Sequence, residues 1–392
     1  MDLYNKPRMY ETALRSILDS KTILQENKEA ILKFIDYLRS ENISISRITR
    51  YFNDLKKLDY LLKKPFEKAN KDDIRRVVAE VNNLSLSEAS KKEMKILIRK
   101  LYCFLRGIEK KGEYPEEVKW ISLNMPSNHK KLPEELLTEQ EIQETIRACS
   151  NIRDKALVSA LAESGCRVSE IGTRQIKHIS FEQYGARITV DGKTGMRKIL
   201  VINSAPYLQQ WINNHPNNNN PEAPLWHNPQ KNGFLSYTRI SHILKRAAKK
   251  AGIKKKVHLH LLRHSRATKL ASIMSDGQLK TYLGWTAGSK MAGIYIHMSG
   301  KDTDEAVLRA SGIEVKKDLS ISALQPLNCL RCKTVNGATN KCCKLCGLIL
   351  DEEYARETLQ QDSKRSQADE IMNNLINDPE VLELIKRKIE GR

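Results

Sequence analysis

Tyr295 follows a cluster of imidazole and cationic side chains, His260-Leu261-Leu262-Arg263-His264, that lies further up the chain. A tyrosine hydroxyl can act as a nucleophile toward a phosphodiester and form a covalent intermediate. Histidine and arginine side chains can stabilise the pentacovalent transition state that such an attack creates. His260 and Arg263 would share one face of a helix, since helical residues three positions apart are neighbours. The spacing therefore predicts a site for phosphoryl transfer.

Three more side chains, Arg167, Lys193 and Trp285, fit the same chemistry. Arg167 follows the glycine of Ser164-Gly165-Cys166-Arg167-Val168-Ser169-Glu170-Ile171 and begins a predicted helix. Lys193 lies at the tip of a predicted hairpin. Taken singly, each residue has an ordinary structural explanation, such as a surface arginine, a solvated lysine or an apolar core segment around the tyrosine. The whole set in this order is much less expected by chance.

The ordered set resembles the tyrosine recombinase family, which includes phage integrases and Xer proteins, over residues 136–312. The family's first arginine box is similar to Gly165-Cys166-Arg167-Val168-Ser169-Glu170-Ile171. Its second box is similar to Leu261-Leu262-Arg263-His264-Ser265-Arg266-Ala267-Thr268, and Leu279-Lys280-Thr281-Tyr282-Leu283-Gly284-Trp285 leads toward the tyrosine as in the family. The family's catalytic residues carry over onto Arg167, Lys193, His260, Arg263, Trp285 and Tyr295.

The sequence departs from the family's usual pattern at two points. Trp285 stands where most members have histidine, although its indole N–H can still donate a hydrogen bond. The interval between Trp285 and Tyr295 is also one residue longer than in bacterial members. Gly288-Ser289-Lys290-Met291, within that interval, resembles archaeal integrase-like members.

The resemblance implies a role for each residue. Arg167 and Arg263 would bind the non-bridging phosphate oxygens with their planar guanidinium groups. Tyr295 would form a 3′-phosphotyrosyl link and release a 5′-hydroxyl. Lys193 would protonate the departing oxygen, and His260 would accept the tyrosine proton. The bond energy stays in the covalent link, so neither ATP nor a metal is needed for the reaction. Three neighbours are predicted to support the site rather than to react: Glu170, His264 and His297.

Four cysteines form a separate motif, Cys329-x₂-Cys332-x₁₀-Cys343-x₂-Cys346. Two such knuckles supply four thiolates for tetrahedral Zn²⁺, and the short segment has too little apolar material to fold otherwise. The motif resembles a zinc ribbon and predicts a structural Zn²⁺. Cys342 could replace Cys343 as the third ligand. Free buried cysteines and a redox dithiol are less favoured alternatives.

The balance of charge favours a polyanionic partner. The chain has 392 residues, with 67 Lys and Arg against 47 Asp and Glu, which gives a net charge of +20. Such an excess attracts phosphate at long range, although solubility alone could also explain it. The sequence shows neither a targeting signal nor a membrane-spanning run, and clustered cysteines suit a reducing compartment. We therefore expect a DNA-binding protein of the cytoplasm that has no membrane association.

The expected fold is mainly α with a small antiparallel sheet. Helical stripes such as Ile31, Ile35 and Leu38 predict a helical DNA core-binding domain over residues 1–123. Segments 186–190 and 198–202 read as strands, joined by a glycine-bearing loop over residues 191–197. The other predicted parts are a basic linker (124–135), a catalytic domain (136–320), the ribbon (321–350) and a charged helical tail (351–392).

These features predict a site-specific DNA recombinase that acts on double-stranded DNA through a covalent tyrosine. The family implies a homotetramer on two synapsed duplexes, with accessory proteins as further possible partners. One alternative is a type IB-like topoisomerase, which shares the chemistry but exchanges no strands. Another is a non-catalytic DNA-binding regulator that carries a zinc ribbon. The intact set of Arg, Lys, His, Arg and Tyr argues against the second alternative.

Overall fold

A computed structural model describes residues 2–110, 112–124, 133–192, 194–230, 233–298, 311 and 322–390. The chain divides into two compact units, residues 2–131 and residues 132–392. Both units are mostly helical, and the second also contains small antiparallel sheets. The predicted fold class is therefore confirmed. Among the described residues, no helix is long and apolar enough to cross a membrane.

The first unit packs helices around one apolar core. Asn27 is fully buried and ties two helices to the following loop, because its amide nitrogen donates to Asp59 Oδ1 at 2.7 Å and its Oδ1 accepts from the Phe66 N–H at 2.7 Å. The residues predicted to form a stripe, Ile31, Ile35 and Leu38, lie in this core. The helices are α1 (Lys6–Leu18), α2 (Gln25–Ser40), α3 (Ile45–Leu62), α4 (Lys71–Asn83) and α5 (Glu88–Leu105), with a 3₁₀ turn at Phe66–Lys68.

In the second unit, the helix after the linker begins where its capping sequence predicts. Thr138 accepts from the backbone N–H of Glu141, and the Glu141 side chain accepts from the Thr138 N–H. The helices of this unit up to the tyrosine are α6 (Glu139–Arg147), α7 (Ile152–Ser164), α8 (Val168–Gly172), α9 (Ala205–Asn213), α10 (Tyr237–Lys250), α11 (Leu259–Ala271), α12 (Asp276–Leu283) and α13 (Met291–Met298). Short 3₁₀ turns occur at Pro133–Glu135 and Ile176–His178.

The sheet is larger than the sequence predicts. Three antiparallel strands, β1 (Ile179–Glu182), β2 (Gly185–Gly192) and β3 (Gly195–Val201), lie in the order β1-β2-β3. The expected loop over residues 191–197 is wrong, because Gly192 pairs with Gly195 and the strands continue almost to the turn. Arg197 is therefore a strand residue paired with Val190. Two further short strands, β4 (His227–Asn228) and β5 (Gly233–Phe234), form a separate pair.

The cysteine-bearing segment packs against α9. Its strands β6 (Leu327–Asn328) and β7 (Val335–Asn336) pair with each other. The Tyr207 hydroxyl accepts from the Thr339 backbone N–H at 2.8 Å and also lies 2.8 Å from Thr339 Oγ1. Helices α14 (Glu352–Asn377) and α15 (Pro379–Glu390) follow, and α14 has no buried residue. The described part of the predicted helical tail thus consists of two helices.

Candidate active site

Arg263 is the most buried cation of the candidate site. It lies on α11, and only 2% of its surface is exposed. One terminal nitrogen donates to the Gly165 carbonyl and the other to the Leu283 carbonyl, each at 2.8 Å. Burial, reinforced by the nearby cation of Arg167, lowers the pKa of Arg263 to about 10. The two arginines therefore lie close enough to repel each other, which favours an anion between them.

Arg167 is held by the helix start that contains it. Gly165 ends α7 with φ +60°, and Arg167 is the N-cap of α8. The Arg167 backbone N–H donates to Glu170 Oε2 at 2.9 Å, and its Nη1 donates to Glu170 Oε1 at 2.9 Å. Its side chain is 32% exposed, so this guanidinium can reach a ligand from solvent.

Tyr295 lies on α13 with its ring enclosed. Only 2% of its surface is exposed, and its ring stacks on Trp285 with centroids 5.4 Å apart and planes 10° apart. The Arg263 guanidinium carbon lies 5.5 Å from the centroid of the Trp285 ring. Burial raises the pKa of Tyr295, although the Arg263 cation opposes that effect. The phenol is therefore protonated at neutral pH, and the attack predicted for its oxygen would require a proton acceptor.

The Tyr295 hydroxyl is hydrogen-bonded to Nδ1 of His264. If Nε2 of His264 carries the ring proton, Nδ1 accepts from the phenol. The His260 ring meets the His264 ring edge-on, with centroids 4.5 Å apart. The structure thus gives the predicted nucleophile an imidazole partner, His264, to which sequence reasoning had assigned a supporting role. The interpretation of His260 as the proton acceptor stays a prediction.

Two predicted positions yield no side-chain geometry. Lys193 lies outside the described residues, and the described part of His297 does not include its side chain. The other residues of the predicted set come together around α11 and α13, although they are far apart in the chain. They are Arg167, His260, Arg263, Trp285 and Tyr295.

Sequence reasoning missed Arg197. Its Nη2 donates to Glu170 Oε2 at 2.9 Å, and its Nε donates to the Tyr282 carbonyl at 3.1 Å. It had been placed in a hairpin loop, where an arginine is expected to be solvated. Strict alternation from Ile199 and Val201 places it on the buried face of β3, and that signal was present in the sequence.

The four predicted cysteines form one cluster. The sulfur atoms of Cys329, Cys332, Cys343 and Cys346 all lie within 4.8 Å of one another. Two of the separations are 3.5 Å, between Cys329 and Cys346 and between Cys332 and Cys343. Tetrahedral Zn–S bonds of about 2.3 Å place sulfurs roughly 3.8 Å apart, so this donor set fits the ion. Cys342 instead pairs through its backbone with Ile349, outside the cluster.

Comparison with known proteins agrees with this geometry. The phage integrase family matches residues 135–301. The tyrosine recombinase XerA of Pyrococcus horikoshii is 26% identical over 292 residues, which cover 74% of this chain and 95% of that protein. XerC of Bacillus subtilis is 25% identical, and the match covers 70% of this chain and 94% of that protein.

Two solved structures share the fold. A lambda integrase dimer bound to a COC′ core site has a TM-score of 0.56 at 17% identity, and the match covers 74% of this chain and 80% of that one. A XerH recombinase in a post-cleavage complex with palindromic difH substrate has a TM-score of 0.55 at 21% identity, and the match covers 77% of this chain and 95% of that one. The family match, together with a buried tyrosine that has an imidazole partner, places residues 135–301 in the phage integrase family, and the relatives named above are tyrosine recombinases, which break and rejoin DNA.

Proposed function

We propose that this chain is a site-specific DNA recombinase whose nucleophile is Tyr295. The observation that carries the proposal is the hydrogen bond between the Tyr295 hydroxyl and His264, with the Arg263 guanidinium close to Tyr295 and Arg167 close to Arg263. Attack of the phenolic oxygen forms a bond to the scissile phosphorus and breaks the bond to the 5′-oxygen. The products are a 3′-phosphotyrosine and a 5′-hydroxyl, and the reverse attack by another 5′-hydroxyl rejoins the DNA. This exchange conserves bond energy and consumes no ATP.

The two arginines would neutralise charge on the scissile phosphate. Arg263 is fixed by two carbonyl groups and is therefore already oriented, and Arg167 is more exposed. Cations that are fixed before the reaction stabilise the developing charge without reorganising. Because Tyr295 and Arg263 are each only 2% exposed, DNA binding must open the site before attack. Trp285 stands where most members of the family have histidine, and its indole N–H would donate a hydrogen bond to the phosphate in place of that histidine.

Proton transfer would involve a histidine pair on the side of the tyrosine and a lysine on the side of the departing oxygen. The phenolic proton leaves toward the pair formed by His264 and His260, of which His264 is the immediate partner. Lys193, assigned from the sequence, would donate a proton to the departing 5′-oxygen. An alkoxide is a poor leaving group, so a general acid is needed on that side of the phosphorus.

The remaining parts would serve DNA binding and assembly. Residues 1–123 would act as the core-binding domain, and residues 136–320 as the catalytic domain. The net charge of +20 supports binding to duplex DNA, and exchange between two duplexes would require four protomers. The cysteine cluster would hold a structural Zn²⁺. None of the eight cysteines forms a disulfide, which suits action in the cytoplasm. Accessory proteins would contribute to the choice of site.

A nicked suicide substrate tests the covalent step. The wild-type chain should form a DNA adduct that persists in EDTA over short times, and Tyr295→Phe should form none while binding DNA almost unchanged. An adduct in that variant would mean that another residue is the nucleophile. Strand exchange between two labelled duplexes then distinguishes a recombinase from a type IB-like topoisomerase, and adduct formation alone excludes a non-catalytic regulator.

A further inference from the structure

Arg197 lies beside the proposed site but takes no direct part in the proposed chemistry. Its side chain is 13% exposed and forms an ion pair with Glu170, whose side chain is 2% exposed. The two contacts from Arg197 to the Glu170 carboxylate measure 2.9 and 3.3 Å. Burying a charge pair costs desolvation free energy, which is offset only when the two groups are well aligned and fully hydrogen-bonded. Such a pair next to the site is therefore a candidate for a functional role.

Glu170 faces two cations at once. Its Oε1 accepts from Arg167 Nη1 at 2.9 Å, and its Oε2 accepts from the Arg167 backbone N–H at 2.9 Å. Burial raises the pKa of Glu170, but the hydrogen bond from Arg197 and the Arg167 backbone N–H outweigh it, so the pKa is lowered and the group stays ionised. Arg167 and Arg197 therefore share one negative charge.

The backbone leaves the pair little room to rearrange. A Cβ atom on Gly192 would lie 2.4 Å from Glu170 Oε1. A Cβ atom on Gly284, where φ is +64°, would lie 2.5 Å from Arg197 Nη1. Gly192 ends β2, and Gly284 precedes Trp285 of the site. The ion pair thus fills the narrow space between the sheet and the segment that carries Trp285.

We propose that Arg197 is a positioning residue that satisfies the charge of Glu170 and so leaves the Arg167 guanidinium available to the scissile phosphate. This inference rests on the proposed function. The charges of three guanidinium groups and one carboxylate, those of Arg167, Arg197, Arg263 and Glu170, sum to +2. Without Arg197 the sum is +1, and Arg167 is the only one of these arginines left to pair with the Glu170 carboxylate. Arg167 would then be held on Glu170 and its charge neutralised.

The test is a double-mutant cycle read by single-turnover cleavage at saturating DNA. Arg197→Met should slow cleavage by roughly 100-fold, the loss typical of a misplaced catalytic group. Arg197→Lys, which keeps the charge, should recover most of the rate. In a Glu170→Gln background, where no carboxylate competes for Arg167, Arg197→Met should cost at least about tenfold less than in the wild type. DNA affinity should change little in any of these variants.

Equal losses in the two backgrounds would overturn the proposal, as would an Arg197→Met rate within a few-fold of the wild type. Arg187→Met is the matched control, because Arg187 pairs with Glu182 in the same sheet at 39% and 41% side-chain exposure and should have no effect. Thermal unfolding of each variant shows whether it folds. The proposed function fails differently, since the wild-type chain itself would then form no adduct at Tyr295.

Discussion

The Tyr295 hydroxyl is hydrogen-bonded to His264 Nδ1, while the Tyr295 ring stacks on Trp285. His264 and Tyr295 lie 31 positions apart in the chain, on α11 and α13 respectively. The contact with His264 orients the proposed nucleophile and would give its proton a nearby acceptor. Since burial raises the pKa of Tyr295, such an acceptor matters more here than it would for an exposed phenol.

His264→Ala is expected to slow adduct formation on a suicide substrate by roughly 100-fold, within the usual contribution of general acid–base catalysis. The reason is the loss of both the orientation and the proton acceptor of Tyr295. His260→Ala measured in parallel separates the two histidines, and His242→Ala, on an exposed part of α10, is the control. A His264→Ala rate equal to that of the control, with a slow His260→Ala, would assign proton transfer to His260 alone.

The stability of the folded chain should fall with rising pH partly through Tyr295. Burial raises its folded-state pKa above that of the unfolded chain, so the folded state binds the phenolic proton more tightly. That contribution is complete below about pH 10 and is lost as pH rises through the folded-state pKa. Between pH 8 and pH 11, the unfolding temperature of Tyr295→Phe should therefore fall by less than that of the wild type.

Tyr184→Phe is the control for this pH series, because Tyr184 is 73% exposed. The Tyr184→Phe variant should follow the wild type throughout. Parallel pH profiles for Tyr295→Phe and the wild type would show that the phenol is not buried in solution.

Zinc content should distinguish the two adjacent cysteines. Cys343→Ser should abolish stoichiometric zinc binding, since Cys343 belongs to the four-sulfur cluster. Cys342→Ser should retain one zinc per chain, because Cys342 lies outside the cluster. Metal analysis of the purified variants gives the answer. Zinc loss in Cys342→Ser with retention in Cys343→Ser would reverse the ligand assignment.

Removal of residues 321–392 should leave cleavage within a few-fold of wild type at saturating DNA, because the residues proposed to be catalytic all precede residue 313. The truncated chain should nevertheless be less stable by about 2 kcal/mol, since Tyr207 loses its contacts with Thr339. Strand exchange or affinity should suffer more than cleavage. Loss of cleavage itself in a truncated chain that remains folded would make the ribbon part of the catalytic fold.

Gly337→Ala offers a milder form of the same test. A Cβ atom there would lie 2.2 Å from the Tyr207 ring, so the ribbon should separate from α9 while keeping its zinc ligands. We expect a lower unfolding temperature with one zinc still bound. Gly277→Ala, which meets nothing within 4 Å, is the control. An unchanged unfolding temperature in Gly337→Ala would show that the ribbon is not docked on α9 in solution.

The sequence by itself determined the class of chemistry, DNA breakage and rejoining, and the order of the residues proposed to carry it. Residue types decide this: two arginines, a lysine, a histidine, a tryptophan and a tyrosine in family order, and four cysteines in two knuckles. Helix starts such as Thr138 were also predictable, because capping depends on residues a few positions apart. Amphipathic helices such as α2 follow from the same local spacing.

Only the tertiary structure decided which of these groups meet. The sequence favoured His260 as the acceptor of the tyrosine proton, yet His264 is the residue hydrogen-bonded to the Tyr295 hydroxyl. The Arg197–Glu170 pair joins residues 27 positions apart, and the Tyr207–Thr339 contact joins residues 132 apart. Such contacts depend on how separate helices and strands pack, because local spacing sets the face of an element on which a side chain lies but not what lies opposite that face.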